Sequence, residues 1–284
     1  MVLSSSSQRA LVSASQLLEA GNLAGAEQLL TPLMSTRPDA QVLGVMGALR
    51  LRQNRLAEAE SLFARAGAAD PKEPAHAMNL ARTRAAQGRV DDAIAAYRTA
   101  IKLNPALAPA YLELAALQQR AGRLPEAEAT LRRLLRAMPD HAQAKLMLSM
   151  VLMESGKPGD AETLLRRALG EASDTKTQAS LRNGLAWSIR RQNRHEEALA
   201  EFEAAHRLDP SLPFVDIQRA GIMQDLQRYD EALEIFRTAL QREPLNSQLH
   251  CAYNDLLYRL DRKEEFLASY DRVPKSRTLM LDKA

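Results

Sequence analysis

Residues 71–105 read PKEPAHAMNLARTRAAQGRVDDAIAAYRTAIKLNP, and this stretch contains every element of a pattern that recurs along the chain. A proline opens it, a small residue follows at Ala81, a glycine marks the middle at Gly88, and a second small residue comes at Ala93. The next copy begins with Pro105, 34 residues after the first proline. A fixed period of this length indicates an array of stacked units rather than one globular core.

Five columns emerge when the copies are aligned. The prolines are Pro38, Pro71, Pro105, Pro139, Pro210 and Pro244. A small-residue column comprises Ala14, Gly47, Ala81, Ala115, Ser149, Ala186 and Ala220. A second small column comprises Ala26, Ala59, Ala93, Ala127, Ala161, Ala198 and Ala232. Four residues after each of these comes a large side chain: Leu30, Phe63, Tyr97, Leu131, Leu165, Phe202 and Phe236. Between the two small columns lies a turn column of Gly21, Asn54, Gly88, Gly122, Gly156 and Asn193.

Each column has a physical reason in a pair of packed helices. Small residues let the two helices approach closely, and the large residue fills the space beside that contact. Glycine and asparagine tolerate the left-handed conformation that closes a helix C-terminus. Proline cannot continue the second helix and so separates one unit from the next. The pattern predicts an all-α array of about eight helix-turn-helix units.

Composition and charge agree with such an array and narrow its function. Aromatic residues are only 4% of the chain, and 38 Lys and Arg balance 35 Asp and Glu to a net charge of +3. This small excess argues against nucleic acid as a partner. A single cysteine, Cys251, permits no intramolecular disulfide. Because no apolar run reaches the length of a membrane span or a secretory signal, we expect a cytoplasmic protein without a membrane partner.

These columns and this period resemble the tetratricopeptide repeat. The resemblance covers nearly the whole chain and implies a right-handed superhelix, or solenoid, whose concave groove is lined by the first helix of every repeat, and we expect a bacterial source. Family members hold a peptide or protein segment in that groove. The usual tryptophan of the first helix is replaced here, by Leu43 in the second repeat and Tyr111 in the fourth, and Gln227 replaces the turn glycine in the seventh.

The repeat phase sets the expected boundaries. Residues 1–7 are predicted to be disordered, 8–173 to form repeats 1–5, and 174–273 to form repeats 6–8, the last of them degenerate. Three extra residues fall near 171–176, where we expect a widened step or hinge and a helix cap at Ser173 or Asp174. Residues 274–284 are predicted to begin a further, truncated helix, whose exposed apolar end would favour a homo-oligomer.

The phase also predicts which side chains line the groove. These are Met78, Asn79 and Arg82 in the third repeat, Met147, Met150 and Met153 in the fifth, and Asn183, Trp187, Arg190 and Arg191 in the sixth. Methionine adapts to varied partners, and tryptophan and arginine are enriched in binding hot spots. This predicts a contact surface for a segment with apolar anchors and an acidic group. The alternative is that Trp187 and the methionines only fill the core between repeats.

Motifs of catalysis and cofactor binding are missing from the sequence. It has no glycine-rich phosphate loop or nucleophile elbow, and its five histidines are scattered over different repeats. We therefore predict a non-catalytic interaction scaffold with no cofactor and no metal. The alternative is the substrate-recruiting array of a larger enzyme. Residues 256–272, LLYRLDRKEEFLASYDR, resemble bacterial repeat arrays that precede a 2-oxoglutarate/Fe(II) oxygenase domain, whose metal ligands would then lie beyond Ala284.

Overall fold

The computed structural model describes residues 5–35, 38–212 and 214–270, and within these ranges all regular structure is α-helical. The helices follow in the order α1 Ser5–Glu19, α2 Leu23–Met34, α3 Ala40–Arg52, α4 Leu56–Ala69, α5 Pro74–Ala86, α6 Val90–Leu103, α7 Ala108–Arg120, α8 Leu124–Ala137, α9 Ala142–Glu154, α10 Pro158–Glu171, α11 Thr175–Arg190, α12 His195–Leu208, α13 Val215–Asp225, α14 Tyr229–Arg242, α15 Ser247–Arg259 and α16 Lys263–Tyr270. The predicted all-α class with about eight helix-turn-helix units is confirmed.

Odd-numbered helices are the first helices of their repeats and even-numbered helices are the second. The chain divides into two compact units, Met1–Val151 and Leu152–Ala284, with the boundary inside α9. In the first unit, the hairpins α1/α2, α3/α4, α5/α6 and α7/α8 pack internally, and so do α11/α12, α13/α14 and α15/α16 in the second. The second helices α2, α4, α6, α10, α12 and α14 also pack on the first helix of the following repeat.

The turn column adopts the left-handed conformation that its residue types predict. Its glycines have φ between 72° and 78°, and the two asparagines, Asn54 and Asn193, have φ of 59° and 60°. Gln227, which replaces the turn glycine of the seventh repeat, takes the same conformation with φ of 60°, and so does Asp261 in the turn of the eighth repeat with φ of 55°. The turn geometry therefore persists even where the residue type is unfavourable, because the packing of the two helices requires it.

The small and large columns form the core of each repeat. All seven alanines of the second small column are 0% exposed, and the large side chains that follow them are at most 3% exposed. The tightest approach is at Gly47 in α3, where a Cβ atom would lie 2.8 Å from Cε1 of Phe63. Phe63 is one of the large residues of α4, so the glycine at this position makes room for an aromatic ring.

Two features at the repeat boundaries differ from expectation. Helix α1 begins at Ser5, so Ser5 to Ser7 are helical although residues 1–7 were predicted to be disordered. The three extra residues near 171–176 lengthen a helix: α11 has 16 residues where α9 has 13. The Asp174 side chain caps it by accepting a hydrogen bond from the Thr177 amide at 2.8 Å, as predicted. The predicted helix start at 274–284 and the oligomer contact there lie outside the described residues.

A ladder of arginines, which the alignment of small residues did not reveal, joins neighbouring repeats. An arginine precedes the second helix in six repeats: Arg55, Arg89 and Arg123 in the first unit, Arg194, Arg228 and Arg262 in the second. Each pairs with a carboxylate three residues later and with one from the preceding repeat. Each ion pair is partly exposed and alone contributes little to stability. The ladder therefore stabilises the array only because the same pairs recur from repeat to repeat.

Glu162 of α10 shows the physical effect of this ladder most clearly. Its side chain is 12% exposed and accepts hydrogen bonds from Arg194 at 2.7 Å and Gln192 at 2.7 Å. Burial by itself would raise the pKa of Glu162, but the hydrogen bonds from Gln192, Arg194 and Arg166 outweigh burial and lower the pKa. The carboxylate is therefore charged in the folded protein over the whole neutral range.

Candidate functional site

The candidate site is an open cavity of about 890 Å³ in the second unit, beside the C-terminal half of α11. Helix α11 supplies Trp187, Arg190 and its C-cap residue Arg191, while the end of α9 and the start of α10 close one side. The lining residues are Met153, Gly156, Pro158, Trp187, Arg190, Arg191, Asn193, His195 and Asp225. Of the predicted groove residues, the structure brings Met153, Trp187, Arg190 and Arg191 together here.

Trp187 belongs to both the core and the cavity wall. Its ring packs edge-on against Phe202 of α12, with the ring centroids 6.2 Å apart and the planes at 79°. The side chain is nevertheless only half-buried and lines the cavity. The two interpretations of this residue are thus compatible, because one edge of the indole fills the repeat core while the rest offers a rigid apolar surface.

The Arg190 side chain is hydrogen-bonded to other residues of the second unit. Its Nε and Nη2 donate to Oδ2 of Asp225 at 3.0 and 2.7 Å, and its Nη1 donates to Oε1 of Gln218 at 3.2 Å. The guanidinium also lies 5.8 Å from the centroid of the Trp187 ring. Space for it comes from Gly221 of α13, where a Cβ atom would approach Nη1 to 3.3 Å. Arg190 therefore joins α11 to α13 and has few hydrogen-bond donors left for a ligand.

Arg191 differs from its neighbour in both exposure and partners. The residue is exposed, and its Nη2 makes one long contact of 3.5 Å with the carbonyl oxygen of Met153. Within the described parts of the chain it forms no ion pair with a carboxylate. Arg191 is therefore the cation at this cavity that is best placed to meet an acidic group.

Five further lining residues were not predicted as groove residues, namely Gly156, Pro158, Asn193, His195 and Asp225. Asn193 is the left-handed turn residue, and Asp225 is the partner of Arg190. His195 at the start of α12 lies with Nδ1 3.7 Å from Oδ2 of Asp225, and that nitrogen has no hydrogen-bond partner among the residues described. Asp225 lies 35 residues after Arg190, close to one repeat period, and this offset between opposite charges was the available signal.

The other predicted residues of the fifth and sixth repeats do not line this cavity. Asn183 lies one turn before Trp187 on α11, is half-buried, and its Oδ1 has no hydrogen-bond partner in the described structure. Met147 and Met150 belong to the first unit, where Met147 is half-buried and Met150 is 50% exposed. All three methionines belong to α9, and of the three only Met153 lines the cavity.

The predicted residues of the third repeat form a separate cluster in the first unit. Nε of Arg82 donates to Glu113 at 2.7 Å and its Nη1 donates to Oδ1 of Asn79 at 3.0 Å. The Tyr97 hydroxyl donates to Glu113 at 3.0 Å, and burial together with this carboxylate raises the pKa of Tyr97. Met78 is half-buried on the same helix. Asn79 and Arg82 are occupied in tying α5 to α7, so this cluster joins repeats.

Residues 5–35, 38–212 and 214–270 contain no group of three or more His, Cys, Asp or Glu side chains arranged to hold a metal ion. Among the helices of the same ranges, none is long and apolar enough to cross a membrane.

The order of helices, the left-handed turns and the buried small columns define a helical-repeat solenoid. Models described as tetratricopeptide repeat match residues 84–151 in one case and residues 45–111, 146–213 and 224–278 in the other. The chain therefore belongs to the tetratricopeptide repeat family, as its sequence columns predict. No curated protein matches the sequence.

Solved structures share this fold at low sequence identity. A tetratricopeptide repeat protein from Parabacteroides merdae ATCC 43184 is similar over 89% of this chain and 100% of its own, with 18% identity and a TM-score of 0.63. A chain of the APC/C hetero-tetramer Cut9-Hcn1 matches 87% of this chain with 20% identity and a TM-score of 0.55. A chain of Naa15/Naa10 bound to HypK-THB matches 95% with 19% identity and a TM-score of 0.50. This chain spans only 48% and 43% of the latter two.

These comparisons give no support to the predicted link with a 2-oxoglutarate oxygenase domain. That link, the bacterial and cytoplasmic assignments, the absence of nucleic acid and membrane partners, and the homo-oligomer stay predictions.

Proposed function

We propose that this chain is a protein-interaction scaffold that holds a segment of a partner protein against α11, in the cavity lined by Met153, Trp187 and Arg191. The observation that carries the proposal is the pairing of a rigid, half-exposed indole with an exposed arginine that has no carboxylate partner in the described structure. Apolar surface supplies affinity, and an unpaired cation supplies orientation and selectivity.

The family supports a protein as the ligand. Two of the structures with this fold come from assemblies, Naa15/Naa10 bound to HypK-THB and the APC/C hetero-tetramer Cut9-Hcn1. Tetratricopeptide repeats stack into surfaces that suit extended or helical segments, and such surfaces need no catalytic group.

The cavity also limits what the partner segment presents. An apolar side chain would lie against Trp187, Met153 and Pro158, and a carboxylate would meet Arg191. Arg190 would contribute only indirectly, because its guanidinium lies over the Trp187 ring and is bonded to Asp225. The segment we propose therefore carries an aspartate or glutamate next to a large apolar residue.

The test compares the charge reversal Arg191→Glu with the matched reversal Arg207→Glu. Arg207 is an exposed arginine of α12 outside the cavity. The tagged proteins would capture partners from the native lysate, and each partner identified by mass spectrometry would then be purified and titrated by calorimetry. We expect one partner to bind the wild type and Arg207→Glu equally and to bind Arg191→Glu at least roughly tenfold more weakly. Equal binding to both reversals would refute the assignment of this cavity.

A further inference from the structure

The second helices of the first unit carry a strip of positive charge. In the C-terminal halves of α4, α6 and α8, which are residues 63–69, 97–103 and 131–137, every charged residue is a cation. We call these six exposed residues the basic strip: Arg65, Arg98, Lys102, Arg132, Arg133 and Arg136. None of them belongs to the predicted groove, and none lines the α11 cavity.

The near-neutral charge of the whole chain hides this concentration. Residues 1–151 contain 18 Lys and Arg against 13 Asp and Glu, a net charge of +5, whereas residues 152–284 contain 20 against 22, a net charge of −2. In the second unit, the C-terminal halves of α10 and α12 include the carboxylates Glu171 and Glu203. The basic strip is therefore a property of the first unit rather than of every repeat.

Most of the basic strip has no carboxylate partner. Arg98 and Arg132 are paired, each with a glutamate of α8. The other four form no ion pair within the described parts of the chain, namely Arg65, Lys102, Arg133 and Arg136. Two exposed carboxylates follow the helices, Asp70 at the end of α4 and Asp140 after α8. The free cations outnumber these two carboxylates by two to one.

Helix stability explains only part of the basic strip. Lys102 and Arg136 lie in the last turns of α6 and α8, where a cation favours the negative end of the helix dipole. Arg98 and Arg132 lie one turn earlier, and Arg98 reaches across to Glu126 of α8 at 3.0 Å. Both pairs of cations repeat at 34 residues, so like charges stand in register on successive second helices and repel. An acidic partner would relieve this repulsion.

The surroundings of the basic strip favour an acidic protein segment over nucleic acid. Single-stranded nucleic acid binds where aromatic side chains are exposed for its bases to stack on. The aromatic residues of α4 and α6 are Phe63 and Tyr97, which are 1% and 3% exposed, and α8 has none. Carboxylates need no such platform, because they pair directly with guanidinium and ammonium groups.

We propose that the basic strip binds an acidic segment of a partner protein, whose aspartate or glutamate side chains pair with Lys102, Arg133 and Arg136. Arg133 lies with its guanidinium 5.8 Å from the centroid of the Tyr111 ring, which orients one of these cations. The surface is independent of the α11 cavity, since the two share no residue. The chain thereby has a second contact surface, formed by second helices.

Binding of fluorescein-labelled decaglutamate to the full chain, followed by fluorescence anisotropy in about 50 mM salt, tests this proposal. We expect saturable binding with a dissociation constant on the order of 10 to 100 μM. The double reversal Lys102→Glu/Arg136→Glu should weaken binding at least roughly tenfold. The matched control Arg9→Glu/Arg120→Glu makes the same change in net charge at exposed positions on α1 and α7. It should bind within about twofold of the wild type, because the contact is local.

Circular dichroism establishes that each variant is folded. If the double reversal fails to fold, Lys102→Gln/Arg136→Gln replaces it and should weaken binding roughly threefold. The proposal is overturned if decaglutamate does not bind, or if the two reversals weaken binding equally, since the net charge of the unit would then be the cause. Binding of decauridylate without binding of decaglutamate would also overturn it, by assigning the strip to nucleic acid.

Discussion

Alanine substitutions at Arg190 and Arg191 distinguish an arginine that joins two repeats from an arginine that is free to contact a ligand. Arg190 and Arg191 are neighbours in sequence, and both were predicted to line the groove. The structure gives them different surroundings: the Arg190 side chain is 23% exposed and bonded to Asp225 and Gln218, whereas Arg191 is exposed with one long contact to a carbonyl oxygen. We therefore expect Arg190→Ala to destabilise the second unit and Arg191→Ala to leave its stability unchanged.

The size of the effect follows from the contacts that are lost. Hydrogen bonds to a charged group contribute about 1.5 to 3 kcal/mol when they are partly buried. The Asp225 side chain is 35% exposed, so water would solvate it again and the loss falls near the lower limit. Loss of the guanidinium above Trp187 adds about 0.5 kcal/mol. We expect Arg190→Ala to lower the free energy of unfolding by about 2 kcal/mol.

Urea unfolding with two probes measures this change. Trp187 is the only tryptophan, so its fluorescence reports on the region around α11, while circular dichroism reports on all the helices. Two probes are needed because repeat arrays do not always unfold in a single step. Arg191→Ala should change the free energy of unfolding measured by fluorescence by less than about 0.5 kcal/mol. A double-mutant cycle with Asp225→Ala should show a coupling of at least about 1 kcal/mol.

The assignment of Arg190 fails under either of two results. If Arg190→Ala lowered the free energy of unfolding by less than about 0.5 kcal/mol, the hydrogen bonds of Arg190 would make no net contribution to stability. Equal losses for Arg190→Ala and Arg191→Ala, or a coupling near zero with Asp225→Ala, would show that position on α11 rather than the ion pair determines the effect.

Three further predictions concern the repeat framework. Gly47→Ala should destabilise the first unit by about 1 to 3 kcal/mol, because its Cβ would lie 2.8 Å from the Phe63 ring; thermal melting measures this. Gln227→Gly should stabilise the second unit by about 1 kcal/mol in urea, since glycine adopts φ of 60° without strain. Glu162→Gln should lower the free energy of unfolding by about 1 kcal/mol at neutral pH, and the melting temperature of the variant should fall less as the pH is lowered. The lowered pKa of Glu162 makes its contribution complete above its usual value of 4.5 and lost as the pH falls through the folded-state value.

Each of these predictions has its own check. Gly159→Ala is the control for Gly47, because a Cβ atom at Gly159 would meet nothing within 4 Å, and a comparable loss there would rule out overpacking as the cause. A destabilised Gln227→Gly variant would mean that the glutamine side chain has a role beyond the turn. Wild type and Glu162→Gln that melt in parallel from pH 7 to below 4.5 would exclude Glu162 as a source of acid sensitivity.

The sequence predicted the fold because each column records a constraint local to one repeat. A left-handed φ at the turn requires glycine or asparagine wherever the chain can supply one, and close approach of two helices requires alanine or glycine. These demands recur every 34 residues, so seven copies reinforced one another. The confirmed φ values and the buried alanine columns follow directly from residue type.

The candidate site was predicted only in part. The repeat phase placed Trp187 and Arg191 on one face of α11, and both line the cavity, since direction around a helix follows from spacing. It could not distinguish Arg190 from Arg191, because their difference depends on Asp225 and Gln218 of the next repeat. It also grouped Met147 and Met150 with Met153, and of these three only Met153 lines the cavity.

The sequence by itself therefore determined the class of fold, the number of repeats, the turn geometry and the helix faces. Only the tertiary structure decided which arginines are occupied by carboxylates and how the arginine ladder joins successive repeats. The physical reason is that backbone conformation and helix face depend on nearby residues. The partner of a long charged side chain depends instead on how neighbouring helices are rotated and spaced, which the period does not specify.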